Sequence, residues 1–107
     1  MKVHSKLGSG FLEAVYHEAL MKQFDIDKIP YKSKVRIKVY FDGVPLKKTY
    51  VPDFICNDKI IVEIKAASFL HQDHVRQTLN YVKASGYKLG IIVNFGESKL
   101  NYKRLVN

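Results

Sequence analysis
The spacing of apolar positions changes period several times along the chain, and each change marks an element. Residues 1–7 carry no usable pattern and stop at Gly8-Ser9-Gly10. From Phe11 onward, Leu12, Val15, Ala19 and Phe24 recur close to i, i+3, i+7, the spacing of one helix face. Ser9 or Gly10 is placed to start that helix, and Asp25 or Asp27 lies beyond its end. Glu13, Tyr16 and Leu20 form a neighbouring stripe, which sets Glu13 at the edge of the buried face in the first turn. Residues 35–40 alternate, Val35, Ile37 and Val39 against Arg36, Lys38 and Tyr40, as a half-buried strand does. Asp42-Gly43 is a hairpin signal, and residues 46–51 return as the next strand between Pro45 and Pro52.

Residues 51–65, VPDFICNDKIIVEIK, read as a second hairpin turning at Asn57-Asp58-Lys59. A helix follows over residues 71–85, with Val75, Leu79 and Val82 on one face, His74, Gln77 and Tyr81 on a flanking stripe, and Gly86 as its C-cap. Leu89-Gly90-Ile91-Ile92-Val93 is a continuous apolar run suited to a central strand covered on both faces. Residues 99–106 suit a last edge strand. The expected fold class is α/β (α+β), one domain over residues 1–107. Its order is helix, three strands in meander, helix, strand, with a right-handed crossover giving a mixed sheet flanked by helices.

The second hairpin places three charges inside an apolar pattern. Side chains alternate along a strand, so Glu63 and Lys65 share a face while Val62 and Ile64 point the other way. A three-residue turn puts Asp53 opposite Glu63, whereas a two-residue turn would put Asp53 opposite Val62. Burying two carboxylates with one amine leaves net negative charge, an expensive arrangement without a cation. The alternatives are a metal site, or a salt-bridge cluster whose carboxyl pKa values are raised by mutual repulsion. Carboxylates on adjacent strands beside a lysine suit metal-assisted phosphodiester cleavage, because Mg²⁺ takes hard oxygens and lysine can orient water or offset developing charge. Glu13, in a first helical turn, equally well complements the helix dipole.

Charge narrows the partner class. Eighteen Lys and Arg against ten Asp and Glu give a net +8, which favours a polyanion through counterion release, although it also serves solubility. Lys32, Lys34, Arg36, Lys38, Lys47 and Lys48 concentrate on the first hairpin, where one face can follow a phosphate backbone and Tyr40 or Tyr50 can stack on a base. The single Cys56 reads as a buried hydrophobe. His71 and His74 lack a third ligand for zinc, His74 fits a substrate contact better, and His4 and His17 are expected at the surface. No apolar run approaches the ~20 residues of a membrane span and no secretory leader pattern opens the chain, so cytoplasmic residence is expected.

The spacing Pro52-Asp53, nine residues, Glu63-Ile64-Lys65 resembles the signature of the PD-(D/E)XK nuclease superfamily. Gln77 and Tyr81 match a Q-x-x-x-Y helix motif of an exonuclease-like branch. Gly10-Phe11-Leu12-Glu13-Ala14-Val15-Tyr16 matches, letter for letter, the G-x-x-E-x-x-Y signature of the GxxExxY protein family within that superfamily. The resemblance extends from Gly8 to about Val106 and implies a restriction-endonuclease-like core. It also implies a Mg²⁺-dependent nuclease acting on DNA or RNA, with Mn²⁺ as substitute. Under it, Asp53, Glu63 and the Ile64 backbone carbonyl are metal ligands, and Lys65 is the catalytic lysine. Glu13 is the helix-borne acid that binds or orients a metal-bound water, Gln77 positions the lysine or a phosphate, and Tyr81 and Tyr16 give support. The family's first helix is usually longer than the seven residues before the Gly-x-Gly turn here, so that helix is expected to be truncated. A homodimer is a further expectation from the resemblance. A non-catalytic nucleic-acid-binding or assembly module on the same fold, and a small-molecule phosphate hydrolase, are the competing readings.

Overall fold
The computed structural model describes residues 2–107, so Met1, the first residue of the expected domain, lies outside the described residues. In chain order the elements are α1 (Lys2–Leu7), α2 (Glu13–Ile26), β1 (Tyr31–Ser33), β2 (Ile37–Phe41), β3 (Val44–Tyr50), β4 (Phe54–Cys56), β5 (Ile60–Lys65), α3 (Gln72–Ala84), β6 (Leu89–Asn94) and β7 (Asn101–Val106). The fold is mixed α+β, a mostly antiparallel sheet flanked by helices. Its five strands run β1-β4-β5-β6-β7, and β2 and β3 form a separate two-stranded sheet. Only β5 and β6 run parallel within the large sheet, with α3 as the crossover between them.

That separation corrects the expected three-strand meander. The first hairpin pairs within itself, and β4 pairs instead with β1, a three-residue strand that the sequence pattern did not reveal. Its turn is Asp42-Gly43, both at positive φ, as a two-residue hairpin with right-twisted strands requires. Strand bounds shift accordingly: β2 starts at Ile37 rather than Val35, and β3 runs from Val44 rather than Leu46.

The first long helix also differs from expectation. It starts at Glu13 with Leu12 as a cap that makes no side-chain hydrogen bond, so neither Ser9 nor Gly10 caps it. Its buried stripe is Tyr16 and Leu20, while Leu12 and Val15 are exposed. Apolar residues occupy both stripes, so periodicity alone did not fix the helix's rotation. The residues before it, without a pattern in sequence, form α1, whose Val3 enters the same core. His4 and His17, expected at the surface, are drawn in. His4 is buried with Nε2 2.9 Å from the Glu97 carbonyl, and the His17 ring stacks on Phe54 at 4.2 Å.

The core has two layers, one on each face of the sheet. Phe54, Cys56, Val62, Ile64 and Val93 pack against Tyr16, Leu20 and Phe95, with α1 and α2 over that face. Cys56 is buried among them, as its setting predicts. On the other face Ile61 packs with Val82 of α3 and with Val39 and Tyr50 of the first hairpin. Burying side chains of this size is worth roughly 1.5–3 kcal/mol each. The expected α3 and β6 are present, and β7 closes one edge antiparallel to β6. Among the described residues no helix is long and apolar enough to cross a membrane.

Candidate active site
The register of the second hairpin decides whether its charges meet. Asn57, Asp58 and Lys59 form a three-residue loop, and the strands pair Cys56 with Ile60, Ile55 with Ile61 and Phe54 with Val62. Asn57 and Asp58 both take positive φ, a conformation that Asn and Asp tolerate better than most residues. The loop is tied to its surroundings by the Asn57 amide on the Pro30 carbonyl, 2.9 Å, and by Lys32 paired with Asp58, 3.0 Å.

One step beyond Phe54–Val62 the register brings Asp53 opposite Glu63, and there side chains replace the main-chain ladder. The Asp53 amide donates to Glu63 Oε1 at 2.7 Å, and the Ile64 amide donates to Asp53 Oδ2 at 2.7 Å. Each carboxylate is thereby fixed by the backbone of the strand opposite. A charge-assisted hydrogen bond of this length is among the stronger kinds.

Burial acts strongly on Glu63. Burial pushes the Glu63 carboxyl up to about 7, and the nearby Asp53 charge adds to the rise. The Asp53 amide, Tyr50 and Lys65 oppose it without cancelling it. The Tyr50 hydroxyl is itself buried next to that carboxylate and held far above the usual phenol value, first by desolvation and then by the Glu63 charge. It finds no hydrogen-bond partner of standard geometry, so its contact with Glu63 is loose rather than a formed bond. Lys65 acts on Glu63 through its charge, and among the described residues it makes no ion pair.

Asp53 carries its own cation. Lys34 Nζ lies 2.6 Å from Asp53 Oδ1, and that hydrogen bond is the main reason the lysine's pKa is raised. The Lys34 amide also donates to the Asp53 carbonyl at 3.1 Å, extending the β1–β4 pairing in which Ser33 faces Phe54. His17, one turn beyond Glu13 on α2, places Nε2 3.3 Å from the same carbonyl and 3.2 Å from Ser33 Oγ. Glu13, Ala14, His17, Lys34, Asp53 and Ile64 together line a cleft of about 240 Å³. A larger, almost wholly apolar cavity of about 470 Å³ lies under α2 between Phe24, Cys56 and Tyr102, away from these charges.

The fate of the sequence candidates is uneven. Glu13, Asp53 and Ile64 share the cleft, Glu63 is locked to Asp53, and Lys65 follows on the same strand. Tyr81 reaches the group indirectly by stacking on Tyr50 at 4.5 Å and 11°. Tyr16 is a structural support: its hydroxyl donates to the Gly8 carbonyl at 2.6 Å and its ring stacks on Phe95 at 4.6 Å. Gly10, at φ 111°, makes the bend between that carbonyl and α2, a conformation open mainly to glycine. Gln77 and His74 are exposed on α3, and neither makes a side-chain hydrogen bond among the described residues. Arg36, Lys38, Lys47 and Lys48 are exposed on or beside the first hairpin, with Arg36 bonded to Thr49 Oγ1 at 3.1 Å.

Sequence reasoning missed three contributors. The sequence groups Lys34 with the basic hairpin because β1 is too short to show a pattern, and only the β1 register sets it beside Asp53. His17 had a signal, since i, i+4 from Glu13 is the same helix face. Tyr50 carries no sequence signal beyond a base-stacking candidate, yet it packs beside Glu63 and stacks on Tyr81.

The donor set suits a hard divalent cation in chemistry, with two carboxylates and a backbone carbonyl and the remaining positions left to water or phosphate. It is not a cage: among the described residues no three His, Cys, Asp or Glu side chains converge to hold a metal unaided.

Residues 1–105 match the sequence profile of the PD-(D/E)XK nuclease superfamily. The chain belongs to that superfamily. No curated protein sequence matches it. Among solved structures it resembles SSO0001, with a TM-score of 0.65 at 17% identity over 88% of this chain and 50% of that one. It also resembles the alkaline exonuclease LHK-Exo from Laribacter hongkongensis, with a TM-score of 0.57 at 11% identity over 84% of this chain and 53% of that one. At such identities the likeness is one of fold. The superfamily chain spans about half the length of each of these structures.

Proposed function
We propose that this chain is a divalent-metal-dependent nuclease domain that hydrolyses phosphodiester bonds in DNA or RNA. The observation that carries the reading is the reciprocal lock between Asp53 and Glu63, which fixes two carboxylates side by side with Lys65 two residues further on. Superfamily membership and the net charge of +8 support a nucleic-acid substrate. The segment Gly10, Glu13, Tyr16 supports the finer GxxExxY assignment, with Tyr16 holding the bend that Gly10 makes.

In this reading Asp53, Glu63 and the Ile64 carbonyl hold Mg²⁺, for which Mn²⁺ can substitute. The bound ion would supply Lewis-acid stabilisation of phosphoryl charge and a more acidic water. The chain's own residues do the rest. The backbone amides of Asp53 and Ile64 orient the two carboxylates, so they are preorganised before any ligand arrives. Lys65 presents its ammonium beside Glu63, where it offsets charge developing on the phosphoryl oxygens. Glu13 lines the same cleft as Asp53 and in this reading orients water within it. Gln77, exposed on α3, is free to meet a phosphate, and Tyr81 braces Tyr50 behind Glu63.

Incubation with labelled single- and double-stranded DNA and RNA in Mg²⁺ or Mn²⁺ tests the proposal. Cleavage is expected from the wild type and not from an Asp53→Ala, Glu63→Ala double variant, and equal cleavage by both would overturn it. A second reading, a non-catalytic binding module, draws on one observation: Asp53 is already neutralised by Lys34. It predicts salt-sensitive binding that EDTA leaves unchanged and no cleavage under any metal.

A further inference from the structure
Lys34 occupies a telling place. Asp53 has two oxygens, and Oδ2 is committed to the Ile64 amide. Oδ1 accepts no main-chain bond among the described residues, and the Lys34 ammonium holds it at 2.6 Å. The pair is asymmetric: the lysine side chain is 58% exposed and the aspartate side chain 15%. A flexible, solvent-facing ammonium is thus resting on a nearly buried, rigidly held carboxylate. A metal on the same carboxylate oxygen would bring a second cation close to the ammonium, and their mutual repulsion sets Lys34 and the metal in competition for Asp53.

The cleft offers the ammonium somewhere to go. Glu13 lines it too and adds to the negative potential felt by Lys34, so a released side chain keeps an acidic neighbour. The main chain of Lys34 stays anchored by its amide on the Asp53 carbonyl, which limits the motion to the side chain.

We propose that Lys34 is a displaceable counter-ion of Asp53: it holds the ligand oxygen until a divalent cation takes it, and its freed ammonium then meets the substrate phosphate in the Glu13 cleft. The inference rests on the reading of Asp53 as a metal ligand. It assigns Lys34 two opposite effects, against metal binding in the free protein and in favour of phosphate binding once the metal is present.

Calorimetric titration of Mn²⁺ into the full chain, without nucleic acid and at fixed pH and ionic strength, separates these effects from turnover. The variants are Lys34→Met, Lys34→Arg, Asp53→Asn and, as a control of equal charge loss, Lys32→Met, whose lysine pairs with Asp58 in the hairpin loop. Lys34→Met is expected to bind Mn²⁺ roughly fivefold tighter than wild type, about the strength of a partly exposed ion pair. Lys34→Arg and Lys32→Met should stay near wild type, and Asp53→Asn should lose binding. At saturating Mn²⁺, Lys34→Met should show a raised KM for a nucleic-acid substrate. Equal or weaker Mn²⁺ affinity in Lys34→Met, or equal tightening in Lys32→Met, overturns the counter-ion role while leaving the metal site standing. If wild type and Lys34→Met both fail to bind Mn²⁺, the metal reading of Asp53 falls and the Lys34 role falls with it.

Discussion
Glu63 is where burial and charge compete most openly. Desolvation lifts its pKa from the ordinary 4.5 to about 7, so the folded chain holds this proton more tightly than the unfolded chain does. Stability from that proton is complete below about pH 4.5 and is lost as pH rises through about 7. The loss is about 3 kcal/mol at most. Urea midpoints measured in EDTA should therefore fall between pH 5 and pH 8, and Glu63→Gln should flatten the profile. A wild-type profile as flat as that of the variant would contradict the assignment. Tyr50 belongs to the same problem, since its buried hydroxyl has no well-formed partner. Tyr50→Phe removes a poorly satisfied group while keeping the stack on Tyr81, so its stability should change by less than about 1 kcal/mol. A loss well above that in chemical denaturation would mean that the hydroxyl is bonded to Glu63 in solution.

The element that sets the site is the β4–β5 loop, because its length fixes which residue faces Glu63. Asn57 and Asp58 hold left-handed backbone conformations there. Asn57→Gly should be nearly neutral, whereas Asn57→Val should cost about 1–2 kcal/mol in urea denaturation. A neutral valine would show that the loop has another conformation and that the register is not pinned by it. This hairpin was legible in sequence, since its apolar runs and the Asn57-Asp58-Lys59 turn left one register that pairs the acids. Other elements were not. Tyr31-Lys32-Ser33 is too short to show alternation, so the sequence pattern does not reveal β1 and groups Lys34 with the first hairpin instead. The rotation of α2 was ambiguous because Leu12 and Val15 look as apolar as Tyr16 and Leu20. Tertiary packing chose between them, with Tyr16 settled by the aromatic ring of Phe95, nearly eighty residues away in sequence. Close approach matters as well: Asn94 bonds both the amide and the carbonyl of Ala67, and a Cβ on Gly96 would lie 2.2 Å from the Ala67 carbonyl oxygen. That contact tethers the chain just after Lys65, and no local pattern announces it.

At the scale of the whole molecule, the net charge is +8, and the first hairpin contributes four exposed basic residues, Arg36, Lys38, Lys47 and Lys48, against the single acid Asp42. Its root packs on α3 through Val39 and Tyr50, and Lys38, Lys47 and Lys48 are exposed. If one face of this hairpin follows a duplex backbone, the slope of log affinity against log salt should shrink by about 0.9 for each lysine on that face, read in separate Lys47→Ala and Lys48→Ala variants. Fluorescence anisotropy in EDTA reads this without cleavage, and an unchanged slope would place the phosphates elsewhere. The superfamily, the sheet order and the pairing of Asp53 with Glu63 agree with one another, and the remaining step is from two oriented carboxylates to a metal. Anomalous diffraction from crystals soaked in Mn²⁺ takes that step most directly. A peak bonded to both Asp53 and Glu63 is expected, with the Lys34 side chain withdrawn from Asp53. No peak there at saturating Mn²⁺, with Lys34 still on Asp53, would contradict it.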